Sequence, residues 1–71
     1  MESHRVQITT EYIELQALLK FEGIAPTGGA AKELIQSGQV TLNGETCTQR
    51  GRKIRPGDVV CIAGQIELVV V

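Results

Sequence analysis

Seventy-one residues, 42% hydrophobic and 21% charged, suit one small folded α+β domain over residues 1–71 and leave no material for a second core or a large enclosed active site. Tyr12 and Phe21 are the only aromatics, which excludes an aromatic core and makes a stacking platform for single-stranded bases hard to build. The net charge is −1, and no run approaches the roughly 20 apolar residues a bilayer span requires, so a cytoplasmic protein is the expectation.

Residues 1–9 read as a short strand through Val6 and Ile8, or as an ordered arm. His4, the only histidine, lies there and is expected to be solvated and idle. Residues 10–22 follow a helical period. Tyr12, Leu15, Leu18 and Leu19 form one stripe, Glu11 and Glu14 load the first turn where the helix dipole favours acids, and Gly23 supplies the stop. Phe21 falls off the stripe and is expected to pack at the helix end.

A second helix is announced by Pro26 and by Thr27 as its N-cap, with Ala30, Ala31, Leu34 and Ile35 on the core face and Gly38 at the close. Gly28 and Gly29 cost about 1 kcal/mol each in a helix relative to alanine, so they call for a reason. One is anion binding: glycines at a helix start let ligand oxygens approach the N–H groups, and Lys32, one turn after Gly28 and off the Ala31 and Leu34 face, would add an ammonium. The other is close helix packing by small residues. The segment is not a Walker loop, which requires GxxxxGK[ST] after a strand.

Beyond Gly38 the period becomes two. Residues 39–42 and 45–48 flank Asn43-Gly44, the strongest short hairpin signal, which sets Val40 opposite Cys47. Pro56-Gly57-Asp58 marks a turn. Residues 59–63 then pair with 66–70 around Gly64-Gln65, so that Val59, Cys61, Ala63, Ile66, Leu68 and Val70 share an apolar face. The expected architecture is two N-terminal helices packed on a small antiparallel sheet of short strands.

Catalysis lacks a constellation, because no nucleophile stands beside a base, and both cysteines fall on strands facing the core as reduced thiols. Two cysteines and one histidine do not complete a structural zinc site, and neither a metal nor a cofactor is expected. The positive charge is concentrated instead. Arg50, Arg52, Lys53 and Arg55 are four of the seven Lys and Arg residues, so residues 46–57 carry +4 while the other segments are net negative. Four close cations repel one another unless a polyanion neutralises them. Ile54, inside the run, points inward.

These features, in this order, resemble the S-4 RNA-binding domain, or αL motif. The resemblance runs from Leu19 and Gly23 through Thr27, Ala31, Leu34, Ile35, Gly38, Val40, Leu42, Asn43 and Gly44 to Ile54-Arg55-Pro56-Gly57-Asp58-Val59-Val60. TGGAAK followed by QRGRKIRPGD is most similar to the small free-standing, YbcJ-like branch. The resemblance implies an RNA-binding protein, ribosome-associated or otherwise in RNA metabolism, that recognises structured RNA (rRNA or tRNA-like) through phosphate and shape. Thr27, Gly28, Gly29 and Lys32 would line one side of its site, and Arg50, Arg52, Lys53 and Arg55 the other. Glu14, Gln16 and Gly28 depart from the charged residues many members carry at those places, which shifts weight to the loop. The second reading is a protein-interaction module that docks an acidic partner through the basic loop and offers the apolar residues 67–71 to another sheet edge.

Overall fold

The computed structural model describes all of Met1–Val71, and it begins with a strand rather than a helix. The elements in order are β1 (Glu2–Val6), β2 (Ile13–Glu14), α1 (Leu15–Phe21), α2 (Gly28–Gln36), β3 (Val40–Leu42), β4 (Glu45–Thr46), β5 (Lys53–Ile54), β6 (Val59–Ile62) and β7 (Ile66–Val70). A five-stranded sheet runs β1-β7-β6-β3-β4, and β2 pairs with β5 in a separate two-stranded ribbon.

The fold is α+β with two helices, but the sheet is mixed, not antiparallel. β1 pairs in parallel with β7 from Glu2↔Ile66 to Val6↔Val70, a long-range pairing that turn signals in the sequence do not encode. As a result β7 is an interior strand with neighbours on both sides. Residues 67–71 therefore present no free edge to a partner chain, and the edges are β1 and β4.

Helix α1 starts at Leu15, five residues later than the periodicity predicts. Residues 13 and 14 are instead drawn into antiparallel pairing, Ile13↔Ile54 and Glu14↔Lys53, and Glu14 is extended at φ −70° and ψ 145°. Leu15, Leu18 and Leu19 are fully buried as the stripe requires. Tyr12 stands outside the helix, and Phe21 is 67% exposed rather than packed, because the chain turns away at Glu22 and Gly23. Helix α2 begins on the predicted Thr27 cap, with Ala31 and Ile35 buried and Ala30 and Leu34 packed at the margin.

The first hairpin has the expected register. Leu42↔Glu45 and Thr41↔Thr46 flank a turn in which Asn43 and Gly44 both take positive φ (51° and 88°), and the Cys47 N–H donates to the Val40 carbonyl at 2.9 Å. The second hairpin is slipped by one residue. Ile62 pairs with Ile66 around a three-residue loop in which Ala63 and Gly64 take positive φ. A one-residue slip exchanges the faces of a strand. Val60 and Ile62 are therefore the buried residues of β6, while Val59 and Cys61 are half-buried on the outer face and Ala63 is exposed. Residues 59–63 are apolar at every position, so alternation could not choose between the faces. The choice is made by β3, whose Val40 and Leu42 align with Ile62 and Val60.

One core of fifteen aliphatic and thiol side chains joins α1 and α2 to the inner face of the sheet, and no polar or charged residue is buried. His4 is exposed, as expected of a solvated residue, and has carboxylates nearby: Nε2 meets a Glu2 oxygen at 2.7 Å, and Nδ1 is 3.6 Å from Glu22 at the end of α1. No helix is long and apolar enough to cross a membrane.

Asn43 latches the two turns that bracket the basic run. Its Oδ1 accepts from the Val59 N–H at 2.9 Å, and its Nδ2 donates to Asp58 Oδ1 at 3.1 Å; Asp58 Oδ2 accepts from the Arg55 N–H at 2.8 Å. Replacing Asn43 by Ala removes two side-chain hydrogen bonds and leaves a Cβ at φ 51° without the amide that compensates it, a loss of about 1–3 kcal/mol by urea denaturation. Asn43→Gly, relieved of the backbone strain, is expected to lose less.

Candidate nucleic-acid interface

The basic run is sewn to the start of α1 by its backbone. The first helical N–H groups have no acceptor within a helix, and Glu14, at the N-cap, offers no side-chain bond. The loop supplies the acceptors: the Leu15 N–H donates to the Arg52 carbonyl at 2.9 Å and the Gln16 N–H to the Arg50 carbonyl at 3.0 Å. The Arg52 N–H closes a turn onto the Gln49 carbonyl at 3.1 Å. Ile54, fully buried, pins the far end, and Pro56 and Gly57 (φ 99°) then reverse the chain. Because carbonyls are spent inward, the side chains of Arg50, Arg52, Lys53 and Arg55 are left to the surface, where all four residues are exposed.

None of these cations is neutralised within the protein. The ion-pair contacts of the chain involve only His4, with Glu2 and Glu22. Lys53 faces Glu14 across the β2–β5 pairing without forming an ion pair, and Asp58 spends an oxygen on the Arg55 N–H rather than on its guanidinium. What supports the cations is an aromatic ring that helical periodicity had placed in the core. Tyr12, 38% exposed, has Lys53 Nζ at 4.9 Å and the Arg55 guanidinium carbon at 6.0 Å from its ring centroid. The pairing that brings Tyr12 there joins residues some forty positions apart, so no local pattern signals it. The N–H groups of Thr48, Gln49, Arg50 and Gly51 also donate to no protein acceptor.

The second group lies at the start of α2. Thr27 (φ −138°, ψ 165°) accepts from the Ala30 N–H at 3.1 Å through its hydroxyl, and its carbonyl accepts from Ala31. The Gly28 and Gly29 N–H groups are left without a protein acceptor at the positive end of the helix dipole. Close packing does not explain these glycines. A Cβ built on Gly28 would meet nothing within 4 Å, one on Gly29 only the Thr27 hydroxyl at 3.9 Å, and neither residue has a positive φ. Lys32 is exposed and unpaired.

The two groups are related through α1 rather than by direct contact. The loop bonds the start of α1, while Ile24 and Ala25, just before α2, both donate to the Leu19 carbonyl near its end. Seven residues at ~1.5 Å rise make α1 about 10 Å long. No hydrogen bond or ion pair joins Arg50, Arg52, Lys53 or Arg55 to Thr27, Gly28, Gly29 or Lys32. The arrangement thus offers cations and free amides in two places on one helical support, suited to separate phosphates of one polyanion.

A family model described as the S4 domain matches residues 6–71. The chain is 41% identical over 59 residues to the probable ribosome maturation protein RlbA of Bacillus subtilis, a match covering 83% of both chains. It is also 41% identical over 59 residues to YbcJ of Escherichia coli, covering 83% of this chain and 84% of that one. The solution structure of Escherichia coli YbcJ, described as revealing an αL motif involved in RNA-binding, superimposes with a TM-score of 0.67 at 34% identity, over 92% of this chain and 85% of that one.

Because neither glycine at the start of α2 is required by space or by φ, Gly28→Ala and Gly29→Ala are each expected to raise stability, by about 0.4–1 kcal/mol in thermal or urea unfolding. A loss of stability in either variant would restore a structural role for that glycine.

Proposed function

The chain belongs to the S4 domain family, and from that premise we propose that it binds structured RNA through phosphate and shape contacts made by Arg50, Arg52, Lys53 and Arg55 on one side and Thr27, Gly28, Gly29 and Lys32 on the other. The observation that carries this reading is the set of exposed cations with no carboxylate partner, held by backbone bonds to a helix. Clustered charge of this kind is costly in isolation and is relieved by a polyanion whose condensed counterions are released on binding.

Duplex RNA hides its base edges in a deep, narrow groove and displays phosphates and 2′-hydroxyls, so a domain poor in aromatics but rich in local cations reads shape more readily than sequence. The negative remainder of the chain restricts contact to that region. The relative from Bacillus subtilis, named a probable ribosome maturation protein, supports a ribosomal RNA target and a role in ribosome maturation. The protein acts by binding, as one domain, with neither cofactor nor metal.

The test is the affinity for a structured RNA hairpin measured across salt concentrations. Binding is expected to weaken steeply with salt, and each of Arg50→Ala, Arg52→Ala, Lys53→Ala and Arg55→Ala to make the log–log slope shallower by about 0.7–0.9. Lys32→Ala is expected to weaken binding without loss of stability, since its side chain contacts no partner. A salt-independent affinity, or a quadruple alanine variant that binds as tightly as the wild type, would sink the proposal. A basic loop that binds an acidic peptide but not RNA would favour the protein-docking reading.

A further inference from the structure

Beside the basic run, the β3–β4 hairpin and the segment after it line an open groove of about 440 Å³. Its two hydrophobic lining residues are Leu42 and Cys47, the most exposed members of the core at 8% and 7%, where every other member is at 4% or less. They leave a thin apolar strip in a groove whose other lining residues are polar or charged. Glu45, Thr46, Gln49 and Arg52 supply polar lining, and their side chains form no hydrogen bond within the protein.

Glu45 is the informative member. It lines the same groove as Arg52, yet makes no ion pair with it, and an unpaired carboxylate beside the basic run repels phosphate. Phosphate contact alone therefore does not account for this groove. An ionised carboxylate is an acceptor only. An apolar strip, an acceptor-only carboxylate and a cation in one groove match an unpaired nucleobase, with a ring face on Leu42 and Cys47, its N–H edge to Glu45 and its own phosphate to Arg52. Guanine, with adjacent N1–H and N2–H donors, can offer a hydrogen to each carboxylate oxygen, whereas uracil has a single ring N–H. Unpaired bases are also where proteins read RNA sequence.

We propose that this groove takes an unpaired guanine of the bound RNA, with Glu45, on the same strand face as Leu42, as the specificity-determining acceptor and Gln49 as a donor to a ring acceptor. The inference rests on the RNA-binding reading above and adds base selection to it.

Three RNA hairpins sharing one stem separate the two: one with a single bulged guanine, one with a bulged uridine and one fully paired. The wild-type protein is expected to bind the guanine bulge about fivefold or more tighter than either other RNA. It should also protect that guanine from kethoxal, which modifies the N1 and N2 edge. Glu45→Ala, at an exposed position, is expected to abolish preference and protection, while affinity for the paired stem holds or rises because a negative charge near the cations is gone. Equal affinity of the wild type for all three RNAs, or a preference that survives Glu45→Ala, overturns the groove assignment and leaves salt-dependent RNA binding standing. Failure to bind any of the three at low salt overturns both.

Discussion

Two backbone hydrogen bonds, from Leu15 and Gln16 to the carbonyls of Arg52 and Arg50, organise the candidate site. They solve the problem that every helix start poses, N–H groups without intrahelical acceptors, and solve it with a distant loop instead of a capping side chain. A loop of like charges would otherwise be held by little. By making it the cap of α1, the fold couples the position of the cations to the packing of Leu15, Leu18 and Leu19, all fully buried. The β2–β5 pairing extends the same attachment and brings Tyr12 against Lys53 and Arg55.

The far end of the run is governed by the Asn43–Asp58 latch. Asn43 occupies the first hairpin turn, Asp58 ends the Pro56-Gly57 turn, and their side-chain bonds tie β3 to the entry of β6. That tie and the Val40↔Ile62 and Leu42↔Val60 pairings set which face of β6 enters the core. The sheet and the basic run thus share one set of constraints. A change at Asn43 acts on the stability of the domain and on the direction in which Arg55 leaves it.

Two features set local stability aside for exposure. Gly28 and Gly29 carry helical backbone where alanine would fit without a clash, and the exposed Lys and Arg side chains stand without carboxylates. Local choices that ignore propensity and charge balance without structural compensation concentrate at functional places. Both groups adjoin α1, one at each end of its hydrogen-bonded surroundings. The free amides and cations therefore share one helical support.

Much of the fold was legible in local pattern. The Thr27 cap, the Asn43-Gly44 hairpin and its Val40–Cys47 register, the Pro56-Gly57-Asp58 turn and the inward Ile54 each follow from the stereochemistry of a few adjacent residues. Of the candidate site, the identity and exposure of the charged residues were equally readable, because Lys and Arg without a buried partner keep their charged ends in water. What the sequence did not disclose was where distant segments meet. The parallel pairing of β1 with β7, the shortening of α1 by the β2–β5 ribbon and the placement of Tyr12 among the cations all join residues far apart along the chain. Residues 59–63 show the limit most plainly: with every position apolar, either face of β6 could be buried, and only its pairing with β3 decided. Sequence thus determined which short segments turn, cap and carry charge, since those are properties of neighbouring dihedrals and side chains. Tertiary structure decided the sheet order, the face of β6 and the support of the basic run, since hydrogen-bond pairing between remote strands depends on competition among all of them at once.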